Sequence, residues 1–184
     1  MCPSDAAERD ARELDDALGR CYRHLGGREH SVAELRRRLE RAGLAAAVVE
    51  QALTIVTEQG YVNDERYARL LVEARRTIDG WGAERIRARL EAAGIDRELI
   101  DGALAGCDHA SELSAATAQI RRRCAQPLTN DRERQRAFGI LIRLGFDSEV
   151  AYDAVRAQSD PVQQLAARTL SGGRERGPRC SFEG

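Results

Sequence analysis

A chain of 184 residues with a hydrophobic fraction of 42% can bury a core, but aromatic residues make up only 4% of it. All 29 basic residues are arginine, which excludes any mechanism that needs a catalytic or phosphate-binding lysine. The formal net charge of −1 is not that of a dedicated DNA-binding domain.

The predicted helices fall into three groups along the chain. The first helix of each group is predicted at Leu14–Leu25, Asp64–Ile78 and Ser111–Cys124. In the first group a second helix follows, because Ser31 and Glu34 match a capping box. Each group is therefore predicted to contain further helices after a short break in the chain.

The equivalent boundaries of the later groups carry similar signals. Asn130 and Glu133 resemble a capping box at the start of the second helix of the third group. Asp96 and Asp147 stand where the third helices of their groups should begin, and each has a glutamate in the following turn. These signals predict three helices in each group.

Three glycines, Gly43, Gly94 and Gly145, recur at a spacing of 51 residues. Each ends a segment with apolar residues at i and i+4, such as Leu35 and Leu39, and each precedes an apolar residue. This pattern is typical of a helix that ends on a left-handed glycine. The chain is therefore predicted to be all-α, built from three tandem three-helix repeats.

The repeat spacing sets the predicted domain boundaries. We predict a flexible N-terminal segment at residues 1–13, repeats at 14–59, 60–107 and 108–158, and a disordered C-terminal tail at 159–184. The third repeat departs most from the pattern. Ala137 replaces a large apolar residue there, and Gly139 lies inside the predicted helix.

In the first two repeats, arginines lie beside the apolar stripe of the second helix. In the third repeat, arginines lie at the end of the first helix. The candidate contact residues are Arg36, Arg37, Arg41, Arg85, Arg87, Arg89, Arg121, Arg122 and Arg123. One interpretation is a solvated helix face with partners four residues away. The other is a basic stripe that meets carboxylates of a protein filament or DNA phosphates.

Three aromatic residues lie near predicted helix boundaries. Tyr61 follows a glycine at the junction of the first two repeats, and Tyr67 lies early in the next helix, so we predict that both pack between repeats. Trp81 lies between two glycines, which is equally compatible with a core position and with a contact residue.

No motif in the sequence predicts an enzyme. There is no glycine-rich phosphate loop, no set of residues with metal-ligand spacing and no pairing of a nucleophile with a base, so we expect no catalytic residue, cofactor or metal. The five cysteines form no CxxC pair, and no apolar run approaches the ~18 residues that span a membrane. We therefore expect a cytoplasmic protein that does not bind membranes.

Three segments resemble the RecX family, the regulators of the RecA recombinase. They are SVAELRRRLERAG at 31–43, GYVNDERYA at 60–68 and GAERIRARLEAAGI at 82–95, within a match from Leu14 to Gln158. The resemblance implies an elongated, curved array of three three-helix repeats that lodges in the groove of the RecA–single-stranded-DNA filament. It also implies a monomeric, non-enzymatic regulator that inhibits ATP hydrolysis and strand exchange, with roles in recombination, DNA repair and the SOS response.

An autonomous nucleic-acid-binding module is the alternative function. A helix, a glycine turn and a second helix resemble a helix-turn-helix motif. The even charge balance and the shortage of aromatic residues for base stacking argue against this alternative. Weak direct DNA binding is compatible with both functions.

Overall fold

The computed structural model describes residues 3–124 and 128–159, with side chains from residue 10 onwards. Every regular element in these residues is helical, which confirms the all-α prediction. The helices are α1 (Pro3–Leu25), α2 (Val32–Arg41), α3 (Ala46–Glu58), α4 (Asp64–Ala74), α5 (Ala83–Ala93), α6 (Arg97–Leu104), α7 (His109–Arg123), α8 (Asp131–Leu144) and α9 (Ser148–Ser159). A π-helical turn, Arg75–Asp79, continues α4.

The chain divides between Asp108 and His109 into two compact units. The first unit contains two helix groups, α1–α3 and α4–α6, and each group packs around its own core. Leu39 lies in the first core and Leu90 in the second, and both are almost completely buried. In the second unit α7 and α8 pack on α9, and Leu141 is fully buried there.

The three repeating glycines end α2, α5 and α8 in the same way. Gly43, Gly94 and Gly145 have φ values of 80°, 78° and 83°, in the left-handed region that side chains disfavour. The amide after each glycine donates to the carbonyl oxygen five residues earlier, at 3.4, 3.2 and 3.1 Å. This is the Schellman arrangement, and it confirms the predicted helix ends.

The predicted N-caps are confirmed, but the capping boxes are not closed. The Ser31 hydroxyl accepts from the Glu34 amide at 3.0 Å, and the Asn130 side chain accepts from the Glu133 amide at 2.9 Å. The Glu133 carboxylate, however, accepts from Thr129, one residue before the cap. The Glu34 carboxylate is also engaged elsewhere, in a cluster between the two helix groups of the first unit.

Helix α1 begins at Pro3 rather than at Leu14. Proline suits the first position of a helix, and the following residues are mostly alanine, glutamate and arginine, which favour helix. The predicted C-terminal tail lies outside the described residues, apart from Ser159 at the end of α9. None of the described helices combines the length and apolar character needed to cross a bilayer.

Candidate functional site

Hydrogen bonds, one of them fully buried, join the two helix groups of the first unit. The Ser31 hydroxyl, fully buried, donates to the Ala93 carbonyl oxygen at 2.7 Å. The Val32 amide donates to the Asp64 carboxylate at 2.9 Å. Arg37 donates to the carbonyl oxygens of Ala92 and Ala93, at 3.2 and 3.4 Å. The start of α2 therefore holds the end of α5, and the two groups form one body.

The Glu34 carboxylate is the centre of a charged cluster at the same junction. It accepts hydrogen bonds from Arg28 at 3.2 Å, from His30 Nδ1 at 3.0 Å and from Arg89 at 3.3 Å. Burial opposes ionisation of Glu34, but the bonds from His30 and the two arginines hold its pKa below the ordinary value. Burial also lowers the pKa of His30 and outweighs the bond to Glu34. His30 is therefore neutral at neutral pH.

The protein is expected to lose stability as the pH falls from about 7.5 to about 5.5, through protonation of His30. The fold holds the pKa of His30 below its ordinary value of 6.5, so in this window the unfolded chain binds more protons. Thermal unfolding of the wild type and of His30→Asn at both pH values measures the effect. Asparagine keeps a donor near Glu34 but does not titrate, so the variant should show a smaller fall in Tm.

The His30→Asn comparison isolates one residue, because His24 also has a lowered pKa in both proteins. Asp64 acts in the opposite direction, since burial raises the pKa of its carboxyl, but it is present in both proteins and cancels in the comparison. An equal fall in Tm in wild type and variant would contradict the assignment of the effect to His30.

Two of the candidate arginines form equivalent ion pairs inside their own helix groups. Arg36 forms two hydrogen bonds with Glu50 at 2.9 and 2.8 Å, and Arg87 pairs with Asp101 at 2.6 Å. Both pairs join the second helix of a group to its third helix across the same separation in sequence. These arginines therefore lie at the surface with a carboxylate partner, but that partner is 14 residues away on another helix rather than four residues away on the same helix.

Two other candidate arginines contact the neighbouring helix group. Arg37 is exposed, as expected, yet its guanidinium reaches the end of α5. Arg89 is half-buried and pairs with Glu34 of the first group. Helical spacing within one group does not predict these two contacts, because the contacting residues belong to the other group.

The five remaining candidate arginines lie apart from these pairs, and one of them, Arg85, lies over the ring of Trp81. Arg41 is exposed at the end of α2, where its Nε donates to the Arg37 carbonyl oxygen at 2.9 Å. Arg121, Arg122 and Arg123 are exposed at the end of α7, in the second unit. The described structure thus places the nine arginines in several environments within the two units.

The three aromatic candidates occupy different environments. Tyr67 is buried in the core of the second helix group. Tyr61 is 54% exposed, and its ring makes an edge contact with the ring of Tyr22 in α1, with the two ring centroids 5.3 Å apart. Trp81 is partly buried against the same core as Tyr67, and Arg85 lies over its ring at 4.1 Å from the centroid. Trp81 thus packs partly into the core, and its role as a contact residue stays a prediction.

Sequence reasoning missed a group of basic side chains where α1 and α2 end together. We call it the basic corner, and its members are Arg20, Arg23, His24, Arg38 and Arg41. Burial and then the charges of three of these arginines lower the pKa of His24. The signal in the sequence was weak, because the residues come from two helices and basic residues are common at helix ends.

The described residues offer no set of three or more His, Cys, Asp or Glu side chains that could hold a metal ion. Exposed guanidinium groups lie on helices of both described units. Guanidinium groups of this kind recognise carboxylates and phosphates through paired hydrogen bonds.

Comparisons with known proteins identify similar chains. Residues 17–54 match the family model for the first three-helix domain of RecX, and residues 63–104 match that for the second. The chain is 33% identical over 165 residues to the regulatory protein RecX of Mycolicibacterium vanbaalenii, covering 84% of this chain and 90% of the relative. It is 31% identical over 159 residues to that of Mycobacterium ulcerans, covering 85% and 91%.

A solved structure supports the fold. The crystal structure of RecX from Lactobacillus salivarius superposes with a TM-score of 0.70 at 14% identity, covering 84% of this chain and 99% of that chain. The matched family models lie within the two helix groups that the hydrogen bonds of Ser31, Val32 and Arg37 join.

Proposed function

The chain belongs to the RecX family of regulatory proteins, and we propose that it regulates the RecA recombinase without being an enzyme itself. In this proposal one copy of the protein binds in the groove of the RecA–single-stranded-DNA filament and inhibits ATP hydrolysis and strand exchange. A role in recombination, DNA repair and the SOS response follows from that activity, as does a cytoplasmic location.

The junction between the first two helix groups is the observation that carries this proposal. Ser31 and Arg37 hold the end of α5, so the two groups present their arginines at a fixed separation. A filament offers the same binding surface repeatedly along its length, so two equivalent faces can contact successive subunits. Binding through two linked faces is stronger than through either one alone.

Arg36 and Arg87 are the candidate contacts best suited to this arrangement. They occupy equivalent positions, and each lies at the surface beside an exposed carboxylate. Such exposed ion pairs contribute little to stability, so the arginines can exchange their partner for one on the filament. Arg37 and Arg89 already connect the helix groups, and changes there would alter the framework as well as the surface.

Arg36→Glu combined with Arg87→Glu is expected to raise the concentration for half-inhibition of RecA ATP hydrolysis by about tenfold or more. The assay measures ATP hydrolysis by RecA on single-stranded DNA with increasing amounts of the protein, and co-sedimentation with the filament reports binding. The wild type should inhibit at micromolar concentration. Failure of the wild type to inhibit or to bind the filament would refute the proposed function.

A variant with exchanged charges distinguishes a role of the arginines in filament contact from a role within the fold. The variant with Arg36→Glu, Glu50→Arg, Arg87→Glu and Asp101→Arg restores both ion pairs in the reversed orientation. If the arginines contact the filament, inhibition should stay weak in the swapped protein although both ion pairs are restored. Recovery of inhibition in the swapped protein would show that the pairs act only within the fold.

A further inference from the structure

We propose that a surface of α8 and α9 binds the same surface of a second copy of the chain, in a weak two-fold dimer. The surface consists of an apolar patch, Phe138, Ile142 and Tyr152, and of two charged residues on α9, Glu149 and Arg156. This inference goes beyond the proposed function, because it concerns an interaction between copies of this chain that does not involve RecA.

The apolar patch occupies positions that hold charged residues in the first two helix groups. These charged residues are Arg36, Glu40 and Glu50 in the first group and Arg87, Glu91 and Asp101 in the second. In both groups the first and last of the three lie close enough for an ion pair between the second and third helices. Because α8 packs on α9 as α2 packs on α3, Phe138 and Tyr152 lie on the same side of this helix pair.

The core of the second unit does not require these apolar residues at the surface. Tyr152 is 62% exposed and Ile142 is 42% exposed, whereas Leu141 and Ala154 next to them in the helices are fully buried. Ile142 follows Phe138 by one turn of α8, so the two side chains lie on one face of that helix. Large apolar side chains that are exposed beside one another mark a contact surface.

Glu149 and Arg156 place opposite charges on either side of Tyr152 along α9. Both residues are exposed, and they lie about one turn before and one turn after the tyrosine. Their separation of about 10 Å along the helix axis is too long for an ion pair within one chain. Within the described residues neither has an ion-pair partner, whereas the carboxylate of the neighbouring Asp153 lies 3.6 Å from Nε2 of His109 on α7.

This arrangement of charges is complementary to itself. If α9 packs antiparallel on α9 of a second copy, with the two-fold axis beside Tyr152, Glu149 of each copy faces Arg156 of the other. Each contact then occurs twice, as in any isologous interface, and the two apolar patches meet. A parallel arrangement would instead bring like charges together. A partner of uniformly acidic or basic surface would satisfy only one of the two residues, so the charges favour a second copy.

The size of the patch limits the strength of the dimer. The three apolar side chains expose on the order of 200–300 Å² in each copy. A stable interface buries about 800 Å² per partner. We therefore expect a dissociation constant of about 0.1–1 mM. At micromolar concentration the chain is then a monomer, so a single copy still acts in the filament assay.

Sedimentation velocity of the full chain without RecA tests the proposal, at concentrations from about 10 μM to about 1 mM. The sedimentation coefficient of the wild type should rise with concentration. Tyr152→Glu is expected to weaken association by about tenfold or more, since it places a charge at the centre of the interface. The matched control is Ile78→Glu, which changes the charge equally at a residue that is 74% exposed in the first unit. The control should weaken association less than about twofold.

Exchanged charges test the antiparallel arrangement. Glu149→Arg and Arg156→Glu should each weaken self-association, because like charges then face each other across the axis. A mixture of these two variants should associate about tenfold or more tightly than either variant alone, since every facing pair again has opposite charges. One chain that carries both changes should associate like the wild type.

Tyr152→Ser guards against a folding effect, because it removes the ring without adding a charge. Its Tm should stay near that of the wild type, since the ring is mostly exposed, and its association should be weaker. A serine variant that folds and associates like the wild type would refute the contact.

Three further results would overturn the proposal. The first is a wild type that stays monomeric up to about 1 mM. The second is equal weakening by Tyr152→Glu and Ile78→Glu, which would indicate a general charge effect. The third is a mixture of the two charge variants that associates no more tightly than each variant alone. Since RecA is absent from all of these measurements, their failure would leave the proposed function untouched.

Discussion

Leu39→Ala is expected to lower the free energy of unfolding by about 2–5 kcal/mol. Leu39 is 1% exposed and lies in the core that α1, α2 and α3 share, among Ala17, Val49 and Val56. Alanine would leave a cavity, because the three surrounding helices can relax only partly into the vacated space. Urea denaturation of both proteins, monitored by far-ultraviolet circular dichroism, measures the difference.

Leu70→Ala is the matched control for this change. Leu70 lies on α4 and is 41% exposed, so the same truncation removes less buried surface and should cost less than about 1 kcal/mol. Equal losses in the two variants would show that Leu39 does not belong to a tightly packed core. If Leu39→Ala alone is strongly destabilised, its loss of filament inhibition is a folding effect, unlike the effect of the surface arginines.

The fold could be predicted because its main signals are local. A left-handed glycine followed by an apolar residue ends a helix wherever it occurs, and this chain repeats that signal at Gly43, Gly94 and Gly145. The N-caps at Ser31 and Asn130 are equally local, since each side chain bonds an amide three residues later. The first residues of α1 were not predicted to be helical. Residues 4–13 have helix propensity, but they show no apolar pattern that would mark a face turned to the core.

The environment of the candidate residues could not be predicted in the same way. Periodicity correctly separates the exposed Arg37 from the buried Leu35 and Leu39 within α2. It does not show that the end of α5 lies within reach of Arg37, because that contact joins residues 55 and 56 positions apart. The basic corner could not be predicted for a similar reason, since α1 and α2 each contribute only some of its residues.

The equivalent surface of the third helix group differs in chemistry from the first two. Arg36 with Glu50 and Arg87 with Asp101 form ion pairs, but the positions 51 residues further on hold Phe138 and Tyr152. Tyr152 is 62% exposed. A charged contact surface repeated in the first two groups therefore cannot continue in the same form on the third, whatever partner it meets.

The junction of the first two groups also depends on residues that only α2 supplies. At the equivalent positions of α5, Gly82 replaces Ser31 and Ala88 replaces Arg37. Neither residue has a side chain that could donate the same hydrogen bonds. The 51-residue repeat thus preserves the core and the helix ends, while the residues that connect one group to the next are not repeated.

Gly94→Ala is expected to destabilise the protein by about 2–5 kcal/mol, because two separate costs fall on one residue. The φ of 78° places alanine in the left-handed region, at a cost of about 1–2 kcal/mol. A Cβ at this position would also lie 2.5 Å from the Cβ of Ala33, at the contact between α2 and the end of α5. Relief of that overlap requires the two helix groups to move apart, which would stretch the buried bond from Ser31 to Ala93.

Gly43→Ala separates the two costs, because Gly43 has nearly the same φ but no atom within 4 Å of an added Cβ. It should cost only the strain of about 1–2 kcal/mol, so the excess for Gly94→Ala measures the overlap between groups. Adding Ala33→Gly to Gly94→Ala should recover about 1–3 kcal/mol relative to the sum of the single variants. Equal effects at the two glycines, or additive effects of Ala33→Gly and Gly94→Ala, would mean that α2 and α5 do not approach each other closely. Such an outcome would remove the fixed separation of the two arginine-bearing faces on which filament binding is proposed to depend.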